Sequence, residues 1–464
     1  MAKRQPLFQL DRPLTGADLK TYRDELSRLQ GNVLRGHGRE AELHLFLTFK
    51  SRRQEKVKRF LHEFAWTVTS ATVQRDQAQH FRRSRRSELF AAICLSAKGY
   101  RYLGQPTGGF TPEFRQGMQR ATARLADPPH NRWEPQFRRD LHAMVLLAHD
   151  RVSELGRQLS LLRTRVSGFA ETSSEFGIKM CDSAGRTIEH FGYVDGRSQP
   201  LFFREDVKKD SLNGHYPKRW DPSAGPNLVL VKDPLGSSDA DCGSYYVFRK
   251  LEQNVKGFRQ HVEALADSLH LTADARQRAG ALIIGRFPDG TPLALNKKPA
   301  ARKIPSNDFA YPHVDRDGNR CPFAAHIRKT NPRGDFNGQL PDRQRVHRIA
   351  RRGMAYGDPT PPGDDLDALP GCGVGLLFQC YQADLAHQFE FLQQAWANNG
   401  ALARLGTGID PVIGQSTNGS FSRLRLPTRW DKPERTPFRF HSFVTMKGGE
   451  YFFAPSISFL KNLK

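Results

Sequence analysis

The stretch FGYVDGRSQP (191–200) places a carboxylate where it could act as an acid or a base. Gly192 and Gly196 lie on either side of Asp195. Glycines around a carboxylate are typical of a tight turn, because glycine adopts positive φ without steric cost and lets a neighbouring group approach the backbone. The local pattern favours an Asp195 that bonds its own backbone. The alternative is a carboxylate held over a bound ligand.

A second stretch, CPFAAHIRKTNPR (321–333), combines a histidine with cationic residues. His326 follows an apolar run, and Arg333 is the last of three basic residues after it. Histidine is a frequent axial ligand of haem, and arginine is the favoured partner of carboxylates such as haem propionates. Cys321 is a further candidate ligand, although Pro322 beside it is typical of a turn. One histidine among sixteen is weak support for a ligand.

Two stretches nearer the C-terminus offer groups that would complete such a site. RIARRGMAYGD (348–358) is basic and is predicted to be helical up to Gly353. It is either a solvated helix face or the source of an inward arginine that stabilises developing negative charge. GTGIDPVIGQSTNGSFSRL (406–424) places Asp410 before a proline in a glycine-bounded turn. Asp410 either starts that turn or accepts the hydrogen bond of a ligating histidine.

Length and composition limit the class of protein. With 464 residues, 38% of them hydrophobic, the chain predicts two large domains or a duplicated one. The start, MAKRQPLFQLDRPLTG, has no apolar run, which predicts neither a secretory signal nor a membrane anchor, and hence a cytoplasmic protein. The six cysteines include no Cys-x-x-Cys pair. Their spacing therefore argues against structural zinc, a thioredoxin-type site and covalently attached haem.

The formal net charge of +23 indicates attraction of anions. Nucleic-acid binding is one way to use such a charge. However, the basic residues are spread along the chain, with only short clusters such as HFRRSRRSE, and no stripe of interleaved aromatic residues accompanies them. We therefore expect solvated faces and anionic substrates, and no specific nucleic-acid partner.

Four strand-like runs are each followed by a run with helical periodicity, two in each half of the chain. This repeat predicts an α+β fold built from two related domains, each an antiparallel sheet with peripheral helices. The irregular segment 208–227, rich in Gly, Pro, Ser and charge, marks the expected boundary. The strand-like runs and their helical partners are 42–50 with 55–66, 141–150 with 151–166, 243–251 with 252–269, and 373–382 with 383–399.

Taken together, these motifs resemble the dye-decolorizing peroxidases. The resemblance rests on the order Gly-x-x-Asp-Gly, CPFAAHIRKTNPR, RRGMAYG, GLLFQCYQADLAHQFEFLQQAWANN, GIDPVIGQ and GGEYFFAPSISFLKNL, from about residue 140 to the end of the sequence. It implies two ferredoxin-like domains, residues 1–210 and 225–464. It also implies one haem b, held without covalent bonds in the C-terminal domain.

The resemblance also assigns roles to individual residues. It implies that His326 is the axial ligand of the iron, that Asp410 is the hydrogen-bond partner of His326, that Asp195 is the acid–base residue and that Arg351 is its companion. Two assignments have alternatives: Arg352 could replace Arg351, and Asp384 or Glu390 could replace Asp410. The implied remaining contacts are Arg333 with a propionate, Leu376 and Phe378 in the pocket wall, and Gly192 and Gly196 in the turn that carries Asp195.

These roles imply a peroxidase that reduces hydrogen peroxide and oxidises an organic donor, aromatic or anionic and dye-like. Because the ordinary pKa of an aspartate is about 3.9, we expect activity to favour mildly acidic pH. Electrons could enter through a surface aromatic, for which the candidates are Trp133, Trp220, Trp396, Trp430 and Tyr356. The alternative functions are a haem-binding or delivery protein and a basic nucleic-acid-binding protein. An oligomer is possible, and no membrane partner is expected.

Overall fold

The computed structural model describes residues 5–212, 219–300, 306–335, 341–363, 365–415 and 421–463. Within these residues the strands are β1 (Ala41–Phe49), β2 (Phe90–Ser96), β3 (Ala143–His149), β4 (Ala170–Ile178), β5 (Met180–Cys181), β6 (Thr187–Ile188), β7 (Val231–Lys232), β8 (Cys242–Gln253), β9 (Ala350–Arg351), β10 (Met354–Tyr356), β11 (Gly375–Gln382), β12 (Phe421–Pro427), β13 (Arg435–His441) and β14 (Val444–Ala454).

The α-helices are α1 (Gly16–Thr21), α2 (Arg23–Arg28), α3 (Gln54–Phe64), α4 (Ala71–Ser84), α5 (Ala97–Tyr102), α6 (Pro112–Gln116), α7 (Met118–Leu125), α8 (Val152–Val166), α9 (Arg204–Leu212), α10 (Val255–Ser268), α11 (Gln277–Ile284), α12 (Tyr311–Val314), α13 (His326–Thr330), α14 (Pro341–Arg345) and α15 (Ile457–Lys461). Two π-helices span Leu385–Glu390 and Leu392–Ala397. Single 3₁₀ turns span Leu7–Gln9, His130–Arg132, Pro135–Arg138, Pro226–Leu228, Ala273–Ala275 and Leu366–Ala368.

Both halves of the chain contribute four antiparallel strands in the same spatial order. The N-terminal half runs β2-β3-β1-β4 across the sheet, and the C-terminal half runs β10-β11-β8-β14. Counted within each half, both orders are second, third, first, fourth, which is the order of a ferredoxin-like βαββαβ unit. Helices α3 and α8 follow the first and third strands of the N-terminal half, and α10 and the two π-helices follow those of the C-terminal half. The predicted α+β fold of two ferredoxin-like units is confirmed.

The two units join edge to edge into one sheet. Strand β14 pairs with β2, with Phe452 opposite Ser96 and Phe453 opposite Leu95. At the other two edges, a Cβ atom on Gly177 of β4 would lie 3.1 Å from the Cβ of Met354 in β10. The sheet therefore curves until its ends meet, as in a barrel. The domain limits 1–210 and 225–464 stay a prediction, and residues 213–218 of the boundary segment lie outside the described residues.

The segment 348–358, predicted to be helical up to Gly353, instead forms strands β9 and β10. Ala350 and Arg351 pair with β11, and Met354–Tyr356 pair with the beginning of the same strand. The prediction was wrong because pairing with a strand distant in sequence outweighs the local helical preference of the basic residues. The extended backbone also sends successive side chains to opposite sides.

The central strands are buried on both faces, because the helices cover the outside of the curved sheet. All seven residues of β2 and all seven of β3 are buried. Within the described residues, every helix is too short or too polar to span a membrane. The cytoplasmic location stays a prediction.

Candidate active site

A cavity between the loop after β6, strands β8, β9 and β11, and helix α13 holds most of the predicted site residues. We call it the central cavity. The predicted residues that line it are Asp195, His326, Arg333, Arg351, Leu376 and Phe378. Gly192 and Gly196 lie in the same loop as Asp195, and Asp410 bonds His326 from the segment whose Val412 and Ile413 line the cavity.

His326 is oriented by Asp410. It is the first residue of α13, and its Nδ1 lies 2.8 Å from Asp410 Oδ2. Asp410 is 1% exposed, and its other oxygen accepts hydrogen bonds from the backbone N–H groups of Val412 and Ile413. The carboxylate thus both starts its turn and bonds the imidazole. Because Nδ1 is used in this way, Nε2 is the nitrogen available to a metal ion.

The two alternative partners of His326 are occupied elsewhere. Asp384 caps the first π-helix, where its carboxylate accepts from the backbone N–H of His387 at 2.9 Å and contacts the ring of the same residue. Glu390 accepts two hydrogen bonds from Arg124 and one from the hydroxyl of Tyr451. The structure therefore brings Asp410, and neither of these carboxylates, to His326.

Asp195 forms an ion pair with Arg351 in the central cavity. Arg351 Nη1 donates to Asp195 Oδ1 at 3.0 Å, and Nη2 donates to the carbonyl oxygen of Arg197 at 3.2 Å. Burial alone would raise the pKa of Asp195, but the charge and hydrogen bond of Arg351 and the backbone N–H of Gly196 outweigh it. The net pKa lies below its ordinary value, so Asp195 is ionised at neutral pH.

Arg352 points away from this ion pair. Its Nε donates to the carbonyl oxygen of Asn32 at 2.7 Å, and its Nη2 donates to that of Val33 at 2.8 Å. Strand geometry explains the difference, because neighbouring side chains on an extended backbone face opposite sides. Of the two arginines, only Arg351 lines the cavity.

Both glycines of the Asp195 turn have left-handed backbone conformations. The φ angle is +91° at Gly192 and +81° at Gly196, values that side chains other than hydrogen disfavour. A Cβ atom on Gly192 would also come within 3.3 Å of Pro362. The backbone N–H of Asp195 donates to the carbonyl oxygen of Thr187. The glycines thus let the chain turn sharply on each side of Asp195.

The sequence analysis missed Glu189, whose carboxylate holds the start of this loop. It accepts the backbone N–H groups of Phe191 at 2.9 Å and Tyr193 at 3.0 Å, and the side-chain amide of Gln253 at 2.6 Å. Burial raises the pKa of Glu189 from 4.5 to about 7, and the nearby charge of Asp195 contributes to a smaller extent. The only sequence signal was its position, two residues before the FGYVDG motif.

The sequence analysis also missed most of a group of buried arginines on the cavity wall, of which it named only Arg333. Arg333 donates to the carbonyl oxygens of Asn307 and Phe309, and Arg286 donates to that of Gly290. These acceptors are neutral, so the positive charge remains uncompensated by them. Burial and the neighbouring guanidinium groups lower the pKa of Arg286 to about 10 and that of Arg333 to about 9. An anion in the cavity would relieve this cost.

The rest of the wall is apolar. Leu376 and Phe378 alternate with buried Leu377 along β11, so both face the cavity. They are joined there by Ile284, Phe389, Leu392 and Val444. An apolar wall with one imidazole and a surplus of guanidinium groups suits a flat apolar ligand that carries carboxylates.

Two family models match most of this chain. Residues 28–179 match the DyP dimeric alpha+beta barrel domain, and residues 223–416 match the C-terminal domain of Dyp-type peroxidases. The chain belongs to the DyP-type peroxidase family. It is 39% identical over 454 residues to the multifunctional dye peroxidase DyP2 of Amycolatopsis sp., covering 94% of this chain and 96% of that protein.

Solved structures of the family superpose closely on this peroxidase. A DyP-type peroxidase of Anabaena sp. has a TM-score of 0.91 at 41% identity and covers 97% of both chains. DyP2 of Amycolatopsis sp. has a TM-score of 0.90 at 36% identity, over 98% of this chain and 100% of the other. A fungal DyP-type peroxidase from Auricularia auricula-judae has a TM-score of 0.79 at 25% identity, over 94% and 98% of the two chains.

The cavity of the DyP-type peroxidase fits the haem that its family uses. His326 presents a free ring nitrogen, the apolar wall suits a porphyrin, and the uncompensated charge of Arg286 and Arg333 suits its two propionates. The alternative ligand Cys321 does not line the cavity, and burial raises the pKa of its thiol to about 12. Cys321 is therefore a neutral packing residue.

Most aromatic residues considered for electron entry are buried in this peroxidase. Trp133, Trp220, Trp396 and Tyr356 are buried, and Trp430 is half-buried with its indole N–H donating to the carbonyl oxygen of Leu293. The most exposed tryptophan of the described residues is Trp66, at 69%, and it was not among the candidates. Exposure depends on how helices pack on the sheet, which local sequence does not encode.

Proposed function

We propose that this DyP-type peroxidase binds one haem b without covalent bonds, reduces hydrogen peroxide with Asp195 as its acid–base residue, and oxidises aromatic or anionic dye-like donors. The observation that carries the proposal is the Arg351–Asp195 ion pair, at 3.0 Å, in the same cavity as the His326–Asp410 pair. The two pairs supply the charge stabilisation, the proton transfer and the ligand that a peroxidase requires.

His326 would hold the iron through Nε2, and Asp410 would keep the imidazole in the tautomer that allows this. Arg333 and Arg286 would pair with the propionates, and Leu376 and Phe378 would pack against the ring. When bound, haem supplies the redox-active iron that exchanges electrons with peroxide and with the donor.

Asp195 would move the proton. As an ionised carboxylate it would accept a proton from one oxygen of hydrogen peroxide and return it to the other oxygen, which would then leave as water. Its lowered pKa keeps it a base in mildly acidic solution. This supports an activity that favours mildly acidic pH, where a histidine at the same place would already be protonated.

Arg351 would stabilise negative charge during this transfer. Its guanidinium is fixed by Asp195 and by the carbonyl oxygen of Arg197. Its backbone N–H donates to the side chain of Gln199 at 3.1 Å, which holds the strand in place. A fixed cation lowers the cost of the charge that develops as the O–O bond breaks, because no reorganisation is needed at that moment.

The donor class follows from surface charge. A net charge of +23 attracts anionic aromatic compounds from solution and raises their local concentration. Sulfonated dyes and aromatic acids fit this description.

The test is stopped-flow absorption of the haem-loaded protein after one equivalent of peroxide. We expect a Soret band that changes on mixing, changes at least about a hundredfold more slowly in Asp195→Ala and in Arg351→Ala, and is lost or shifted in His326→Ala. Arg352→Ala is the matched control, since this neighbour faces away from the cavity.

Each other outcome has a definite meaning. A Soret band that ignores peroxide in the unsubstituted protein would contradict the catalytic roles and favour haem binding or delivery. Unchanged kinetics in Asp195→Ala would exclude this residue as the base. Failure to take up haem would overturn the whole proposal.

A further inference from the structure

A second cavity lies in the N-terminal half of the molecule, between helices α1, α2 and α4 and the loop of residues 31–39. We call it the N-terminal cavity; it has a volume of about 280 Å³. It shares no lining residue with the central cavity. The proposed peroxidase function leaves it without a role.

One side of the N-terminal cavity is apolar. Buried Leu26 and Leu34 form its floor, and Phe81 and Phe203 stand beside them. Ala78 of α4, with its small side chain, also lines the cavity. This surface suits the flat face of one or two aromatic rings.

The other side of the N-terminal cavity is cationic. Arg39 is 7% exposed, and its guanidinium donates to the carbonyl oxygens of Glu88 and His37 and to the amide of Gln77. All three acceptors are neutral, and burial lowers the pKa of Arg39. The nearby charges of Asp150 and Glu88 offset the desolvation cost of this buried cation only in part, and a bound anion would offset it further.

Further arginines extend this positive face. Arg35 and Arg75 line the cavity, where both contact Glu205 and Arg35 also contacts Asp206. Arg82 lines the opening and is exposed. Among the lining residues Asp150 is the one acidic side chain, against four arginines, which are Arg35, Arg39, Arg75 and Arg82. Even when Glu205 and Asp206 are counted beside Asp150, the four arginines leave a net positive charge at the cavity.

We propose that the N-terminal cavity binds a small aromatic anion, either a carboxylate or a sulfonate, with its ring on the apolar floor and its charge against the arginines. Charge complementarity and the shape of the floor carry this proposal, and it does not depend on haem. The site would hold an organic acid away from the central cavity.

The position of the site connects it to the catalytic strand. Arg352 of the segment between β9 and β10 donates to the carbonyl oxygens of Asn32 and Val33, under the loop that forms the cavity wall. Gln74 of α4 holds the same loop from the other side through the carbonyl oxygens of Arg35 and Gly36. A ligand between α4 and this loop thus contacts a segment anchored beside Arg351.

The test is isothermal titration calorimetry of the haem-loaded protein, without peroxide, at low ionic strength. The probes are 2-naphthoate, 2-naphthalenesulfonate and the neutral analogue 2-naphthalenemethanol. We expect both anions to bind and the alcohol to bind at least about tenfold more weakly. Ala78→Trp should abolish binding by filling the cavity, and Arg82→Glu should weaken anion binding about tenfold or more.

The matched control is Arg83→Glu, an exposed arginine of α4 that does not line the cavity. It should change affinity by no more than about twofold. Equal losses in Arg82→Glu and Arg83→Glu would show nonspecific attraction and overturn the proposal. The proposal would also be overturned if neither Ala78→Trp nor Arg82→Glu changed the affinity for the anions. Binding of the alcohol as tightly as the anions, or no measurable binding of either anion, would overturn it as well.

Discussion

Arg351 and Arg352 are consecutive in the chain, yet their guanidinium groups lie on opposite sides of the sheet. Arg351 donates to Asp195 in the central cavity, whereas Arg352 donates to the carbonyl oxygens of Asn32 and Val33. This opposition allows the chemistry of one arginine to be separated from the structural role of the other.

Arg351→Ala and Arg352→Ala should have contrasting effects. We expect Arg351→Ala to lower the rate of the peroxide reaction by about 10²–10³ with little loss of stability. Arg352→Ala should retain the rate within about threefold but lower the free energy of unfolding by about 1–3 kcal/mol, because it leaves carbonyl oxygens without donors. Stopped-flow kinetics and urea unfolding measure the two effects. A large rate loss in Arg352→Ala alone would reverse the assignment.

The acidic limb of the pH–rate profile should depend on Arg351. The pKa of Asp195 is lowered because Arg351 stabilises its charged form, so Asp195 stays a base as the pH falls below its ordinary value. In Arg351→Ala the burial of Asp195 acts without that compensation, and the limb should move to higher pH. Kinetics at constant ionic strength between pH 2.5 and about 8 test this. If the acidic limb lies at the same pH in Arg351→Ala, the limb does not report the protonation of Asp195.

Glu189 should make folding stability pH-dependent near neutrality. Its pKa is raised from 4.5 to about 7, so the folded protein binds its proton more tightly than the unfolded chain does. Stability is therefore greatest below pH 4.5 for this group, falls as the pH rises, and is lowest above about 7, by roughly 3 kcal/mol. Urea unfolding of Glu189→Gln against the unsubstituted protein isolates the effect, with exposed Glu171→Gln as control. If the free energy of unfolding depends on pH in the same way in Glu189→Gln and in the unsubstituted protein, the prediction is contradicted.

Asp410→Asn should weaken the haem site without emptying it. The asparagine oxygen can still accept the N–H groups of Val412 and Ile413, but the amide nitrogen cannot accept from His326 Nδ1. We expect haem affinity or peroxide rate to fall about 10–100-fold and the midpoint reduction potential to rise. Haem titration measures the affinity, stopped-flow kinetics measure the peroxide rate, and potentiometry measures the reduction potential. The exposed pair Asp384–His387 offers Asp384→Asn as a control, which should change neither.

The buried arginines should recognise haem through its carboxylates. The carbonyl oxygens that accept from Arg286 and Arg333 in the protein are neutral. Haem offers these arginines two negatively charged propionates, and haem dimethyl ester offers none. We expect the ester to bind at least about tenfold more weakly than haem, and Arg333→Met to reduce this difference. Competitive titration with both porphyrins gives the ratio. Equal affinities in the unsubstituted protein would exclude the arginines as propionate partners.

The amino-acid sequence by itself determined the repeated strand–helix units, the family and the stretches that contain Asp195, His326 and Asp410. Hydrophobic periodicity and glycine turns are local properties, so a single sequence displays them. Their order along the chain was enough to indicate a peroxidase before any contact was known.

Only the tertiary structure decided between neighbouring or competing residues. The pairing of β9 with β11 turned a predicted helix into a strand and directed Arg351, rather than Arg352, into the cavity. The turn at Asp410 brought it to a histidine 84 positions earlier, while Glu390 paired with Arg124. The charge surplus at Arg286 and the raised pKa of Glu189 arise from burial. Side-chain direction and burial depend on contacts between distant segments, and for that physical reason no local pattern contained them.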